Sequence, residues 1–259
     1  MPALKLSLAA AALAASTSLA AAVPVVGLTG ETTLVMFDTE DTAVTETVEV
    51  TGVERLHGID MRASDGMLYG VTDDNRLVSI DPASGEATDV VTLATEVPAG
   101  DSIAVDFNPM ADALRIVSGT TNLRVNVGSG EVTTDGELAF KEGDDNADAE
   151  SDVVAVAYIN SIGKPEATGM YDLDAGLGAL LQQAPPNDGV LATVGELGIE
   201  GGTTHAFDIH ATEVDMNTAY LATGGSLYTV DLETGAATEV GEITGAEGDI
   251  RDIAVMPAM

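Results

Sequence analysis

Cysteine and tryptophan are absent from this chain of 259 residues, and aromatic rings are few, with four phenylalanines and five tyrosines. Without cysteine, no disulfide staples the fold and no thiol serves as nucleophile or soft metal ligand. So few rings leave little for sugars or bases to stack on. Cationic side chains are scarce too: nine lysines and arginines stand against 43 aspartates and glutamates, a net charge of −34. Nucleic acid and anionic membrane surfaces repel such a chain, which argues against both as partners. Solubility in a salty setting, where salt screens self-repulsion, accounts for the acidity better than general cation binding does. No apolar run reaches the ~20 residues that cross a bilayer.

The longest apolar run is placed to act as a targeting signal. Lys5 is the only charge before Glu31, Leu6 to Ala15 is apolar, and Ala20-Ala21-Ala22 supplies small side chains for a signal peptidase. Residues 1–22 are therefore expected to be a cleaved signal peptide. Residues 23–259 form one domain, exported to the periplasm or beyond, and large enough to bury a substantial core.

What the chain has in abundance is a repeat. GIDMRASDGMLYGVTDDNRLVSIDPASGEATDVVTL from Gly58 is echoed by AFDIHATEVDMNTAYLATGGSLYTVDLETGAATEVGEI from Ala206. Each unit opens on a short apolar strand with one acidic or small residue: Asp60, Asp106, Ala157, Asp208 and Ala254, spaced 46, 51, 51 and 46 residues apart. Solenoid repeats are shorter and more uniform; this period suits four-stranded propeller blades. Alternation and turn residues place three further strands in each unit. They are Met67 to Thr72, Arg76 to Ile80 and Glu86 to Leu93 in the first, and Ala113 to Val117, Asn122 to Val127 and Glu131 to Leu138 in the second. The third has Ala167 to Leu173, Leu177 to Gln182 and Val190 to Leu197; the fourth has Thr218 to Ala222, Ser226 to Val230 and Ala236 to Ile243.

The two ends complete each other. Leu34-Val35-Met36-Phe37-Asp38 aligns with Leu77-Val78-Ser79-Ile80-Asp81 at an offset of 43, and Gly27 and Thr29 match Gly70 and Thr72 at the same offset. Val26 to Val50 thus reads as the last three strands of a blade, and Asp249 to Met256 as a first strand with nothing after it. The expected fold is all-β: a five-bladed propeller whose C-terminal strand completes the N-terminal blade and leaves no open sheet edge at the seam.

Several stretches are similar to a known family: LYGVTDDNRLVSIDPASGEAT, DFNPMADALRIVSGTTNLRVNVGSGEVTTDGELAF, GDDNADAESDVVAVAYINS, PPNDGVLATVGELG, and LYTVDLETGAATEVGEI with IRDIAV. In this order they resemble the bacterial family catalogued as domain of unknown function 4394, over nearly all of the chain after residue 22. The resemblance implies an exported β-propeller-like domain and brings no catalytic residues with it.

Candidate chemistry lies on the inner strands, where equivalent positions form rings around the channel. The aligned ring holds Asp60, Asp106 and Asp208, with Ala157 and Ala254. Two residues on come Arg62, Asn108 and His210, with Ile159 and Met256. These six polar side chains are the candidate ligand-binding set. Crowded carboxylates share protons, or are neutralised by a cation or by Arg62. The plainer reading, preferred here, is that the aspartates cap backbone amides where the sheets converge.

His57 and His205 stand three residues before Asp60 and Asp208 and suggest zinc, but on the opposite alternation and in non-adjacent blades. Asp144, Asn146, Asp148 and Glu150 alternate as the ligands of a calcium loop do, without the glycine an EF-hand needs; a solvated acidic loop is the plain alternative. No GxSxG elbow, HExxH helix or phosphate-cradling glycine loop occurs in a suitable context.

The leading functional expectation is a non-enzymatic module that binds a ligand or an envelope protein. A glycan hydrolase using Asp60, Asp106 and Asp208 as funnel carboxylates is the second reading, and a structural envelope or matrix component is the third.

Overall fold

The computed structural model describes residues 22–98, 102–199 and 202–256. All but Ala22 of the expected signal peptide lies outside them. Among the described residues no helix is long and apolar enough to cross a membrane.

Five small sheets form a five-bladed propeller. Blade one is β4 (Leu56–Arg62), β5 (Met67–Thr72), β6 (Arg76–Ile80) and β7 (Ala87–Thr92). Blade two is β8 (Ala104–Asn108), β9 (Ala113–Ser118), β10 (Thr121–Asn126) and β11 (Val132–Thr134). Blade three is β13 (Val153–Tyr158), β14 (Met170–Asp174), β15 (Ala179–Gln183) and β16 (Val190–Glu196), widened by β12 (Ala139–Phe140), which lies parallel to β16. Blade four is β17 (Ala206–Glu213), β18 (Met216–Thr223), β19 (Ser226–Val230) and β20 (Ala237–Glu242). Blade five joins the chain ends, with β21 (Ile250–Val255) inside, then β1 (Pro24–Thr29), β2 (Thr33–Asp38) and β3 (Glu46–Glu49).

The closure expected from the split repeat is present. β21 pairs antiparallel with β1, with Val26 opposite Ala254 and Gly27 opposite Ile253. Leu34 and Leu77, the first residues of the aligned runs, are both fully buried. The apolar alternation of the inner strands packs blade on blade. Ile59 joins Leu28, Leu34 and Ala254 between blades five and one, and Phe107 joins Tyr69 and Leu77 between blades one and two. Tyr69 and Phe107 meet edge to face at 5.3 Å, the arrangement that ring quadrupoles favour.

Two expected strands are corrected. Glu131 to Leu138 forms strand only over Val132–Thr134. Asp135 leaves the ladder because its carboxylate binds Arg115 and Arg124, and the next residues cross to blade three, where the Gly136 amide donates to the Asn187 carbonyl. The strand expected from Ala167 begins at Met170. Here the Asn160 side chain donates to the Ala167 carbonyl and the Thr168 hydroxyl to the Ile159 carbonyl, which holds residues 167–169 as a loop.

Candidate functional site

The five inner strands run in one sense along the channel, so residues before them collect at one mouth and residues at their ends at the other. Between the mouths sit the aspartates. Asp60, Asp106 and Asp208 are buried, and their carboxylate oxygens lie within 4.8 Å of one another.

Each carboxylate reaches across to the next blade and accepts a backbone N–H. Phe107 donates to Asp60 at 2.7 Å, Tyr158 to Asp106 at 3.0 Å and Val255 to Asp208 at 2.6 Å. A fourth aspartate, Asp252, completes the seam: Ile59 of blade one donates to it at 2.8 Å. Gly58 makes room for that contact, since a Cβ there would stand 2.7 Å from the Asp252 oxygen. Asp252 lies two residues before Ala254, so the seam uses the same device one ring earlier in the strand. Blade three has Ala157 at this position, and its junction with blade four is made by Asn160. The Asn217 side chain accepts the Asn160 amide at 2.7 Å, and the Asn160 side chain accepts the Asp215 amide at 2.7 Å.

Desolvation dominates the electrostatics. Burial pushes Asp60 well above the usual carboxylate range, with help from the Asp208 charge, and pushes Asp106 up with help from Asp60. Asp208 is raised to about 6 and Asp252 to about 8, each by burial that backbone donation only partly offsets. Arg62 does not neutralise this group. It turns outward to Asp112 at 2.6 Å and Asp65 at 2.9 Å, over the Tyr69 ring. Buried, amide-capped aspartates stitch the blades together. A hydrolase needs a solvent-open acid and base instead, and this geometry lends that reading no support.

The remaining sequence candidates divide. Asp60, Arg62, Asp208 and His210 line a cavity of about 230 Å³ at the far mouth. His210 is buried there, desolvation lowers its pKa, and its Nε2 has no partner among the described residues. Asn108 is not part of that cavity; its side chain accepts the Met110 and Ala111 amides and closes its own turn. The acidic loop does not gather around a centre. Asp144 accepts the Thr193 amide and hydroxyl, and Asn146 donates to the same hydroxyl, so both fasten the loop to β16. Asp148 and Glu150 are exposed. Among the described residues the only cluster of three or more metal-type ligands is the aspartate trio; neither the calcium-loop residues nor His57 and His205 form one.

Sequence reasoning missed the larger site. At the near mouth, residues at the starts of the inner strands and in the neighbouring loops of all five blades line a cavity of about 670 Å³. Arg55 and His57 come from blade one, Ser102 and Thr121 from blade two, Asp152 and Val154 from blade three, Thr203, Thr204 and His205 from blade four, and Arg251 from blade five. Arg251 is held by backbone alone: Nε donates to the Gly30 carbonyl at 2.7 Å, Nη2 to Leu56 at 3.0 Å and Nη1 to His57 at 3.5 Å. Burial and the Arg55 charge lower its pKa. His57 is likewise lowered by burial and by Arg55, and His205 by burial. The matching placement of the two histidines was the one signal of this mouth in the sequence.

A known structure with a TM-score above 0.5 supports the fold. The chain is 15% identical to a protein of unknown function from Bacteroides thetaiotaomicron with a TM-score of 0.51, covering 90% of this chain and 66% of that one. A protein of unknown function from Bacteroides caccae is 13% identical, with a TM-score of 0.47 and coverage of 88% and 77%. An auxiliary nutrient binding protein from Bacteroides thetaiotaomicron is 14% identical, with a TM-score of 0.49 and coverage of 89% and 58%. Likenesses this distant concern architecture alone. No protein with a curated description matches. The model of one family, described as a domain of unknown function, matches residues 33–254, and the chain belongs to that family, DUF4394.

Proposed function

We propose that this protein is an exported, non-enzymatic module that binds a small ligand at the near mouth of its channel. One observation carries the reading: all five blades contribute to a single cavity of about 670 Å³, within the range of small-molecule sites and lined by a few convergent polar groups. The far cavity, at about 230 Å³, is below that range. Export is part of the proposal and rests on Lys5, the apolar run from Leu6 and the Ala20-Ala21-Ala22 segment.

The test is native mass spectrometry of protein purified from the exported fraction of its own cells. The expected result is an adduct in the small-molecule range, released on denaturation. Filling the cavity with Thr204→Trp removes the adduct, whereas Ile162→Trp at the far mouth leaves it in place. Retention of the adduct by Thr204→Trp would move the site elsewhere, and the absence of any adduct in the parent protein would count against binding. Intact mass also reports on export, which predicts a mature chain starting at Val23.

A further inference from the structure

The near mouth is chemically unlike the rest of the molecule. Arg55 and Arg251 are two of only nine cationic side chains in a chain of net charge −34, and His57 and His205 are two of its three histidines. All four line one cavity, with Asp152 the single acidic residue in its wall. Random placement on so acidic a chain would not be expected to concentrate positive charge at one mouth of the channel.

Arg251 is also pre-organised. Its three contacts to the Gly30, Leu56 and His57 carbonyls occupy one N–H on each guanidinium nitrogen. A guanidinium carries five N–H donors, so one remains on each terminal nitrogen. Paired terminal donors match the two oxygens of a carboxylate or phosphate, and a clamped guanidinium loses little freedom on binding. Arg55 stands close enough to repel Arg251. Its own partner is Glu31, across an exposed pair at 3.0 Å, a contact of small net value that an incoming oxyanion can replace. The Thr204 hydroxyl supplies a neutral hydrogen-bonding group for the body of a ligand, and the hydroxyls of Ser102 and Thr203, which donate to the Val154 carbonyl and the Asp249 carboxylate, can still accept.

We propose that the near mouth binds a small organic anion whose carboxylate or phosphate is held by Arg251 and Arg55, with His57 and His205 beside it. This rests on the binding reading above and specifies its ligand class. The site is new with respect to the aspartate ring and shares no residue with it.

Calorimetric titration tests the proposal with citrate as the carboxylate probe, inorganic phosphate as the phosphate probe and glucose as a neutral control. Ionic strength is held fixed with sodium chloride, because added salt alone screens so acidic a protein. Saturable binding of citrate or phosphate is expected, weakened at least tenfold by Arg251→Gln. Arg55→Gln breaks only an exposed pair, so it tests the same point if Arg251→Gln fails to fold, and it is expected to weaken binding several-fold. Arg62→Gln, at the far mouth, is expected to bind like the parent. Whichever probe binds more tightly identifies the headgroup. The proposal is overturned if neither anion binds, or if both bind equally well to the parent, Arg251→Gln and Arg55→Gln. Glucose binding that neither arginine variant alters would overturn the anion class and leave the binding reading standing. Failure of all three probes together with the absence of a native adduct would remove both.

Discussion

Removing residues 249–259 is expected to leave no folded protein. The deletion strips β21 from β1 and with it buried Ile250, Ile253 and Val255. At roughly 1.5–3 kcal/mol per large aliphatic side chain, those three alone amount to about 6 kcal/mol. A domain of this kind has about 5–15 kcal/mol in total. The deletion also removes Asp252 and the Val255 amide, so the inner-strand hydrogen bonds of blade five to both of its neighbours are lost. β1 would become an open inner edge, which invites aggregation. Circular dichroism and thermal melting of the truncated chain check this; a cooperative melt near the parent temperature would show that the ring does not need its latch.

The second large effect is a loss of stability with rising pH, set by the buried aspartates. Asp252 titrates at about 8 in the folded chain and at about 3.9 when unfolded. Between those values the folded chain holds a proton that the unfolded chain has released, so stability falls as pH rises and levels off above about 8. At about 1.4 kcal/mol per unit, the whole window is worth on the order of 5 kcal/mol for this one group. Asp208, raised to about 6, adds a smaller loss over the lower part of the window. The histidines work the other way: their folded values lie below 6.5, so they favour the folded state as pH rises through 6.5, and that effect is complete by about pH 7.

The interval from pH 7 to 9 therefore isolates the aspartates, and no cysteine thiol titrates within it. Asp252 alone is expected to cost about 1.5 kcal/mol across that interval, a few degrees of melting temperature. Asp252→Asn keeps an acceptor for the Ile59 amide and cannot ionise, so it should reduce the slope by the share of Asp252. A parent melting temperature that is constant or rising from pH 7 to 9 would contradict the assignment.

The ring was legible because it is written twice. The offset of 43 between Leu34 and Leu77 reflects one strand geometry repeated in two blades, and the apolar alternation at Ile59, Val105, Val156, Phe207 and Ile253 reflects one packing requirement repeated in five. The aspartates were legible as a ring, and capping of backbone amides is the role they take. What could not be read was anything that breaks the repeat. Asp252 serves the seam from the wrong register. Asn160 replaces the missing aspartate through a contact to Asn217, 57 residues away. Asp135 abandons its strand for Arg115, a buried ion pair at 2.8 Å that no local pattern announces. Arg251 reads in sequence as one charged residue in a closing strand. Only ring closure brings it to Leu56 and His57, 195 and 194 residues away, and turns it into the wall of a cavity. Architecture is periodic and survives in the sequence, whereas this site is assembled from single departures at five separate places.

Amide chemical-shift mapping during titration with the small-molecule fraction of its own cells and their medium tests the seat of binding most directly. Ligand at the near mouth should shift the amides of Arg55, His57, His205 and Arg251 saturably. The Phe107, Tyr158 and Val255 amides, which donate to the aspartate ring, should stay where they are. Shifts confined to the ring amides or to Arg62 and His210, or no saturable shift at all, would contradict binding at the near mouth.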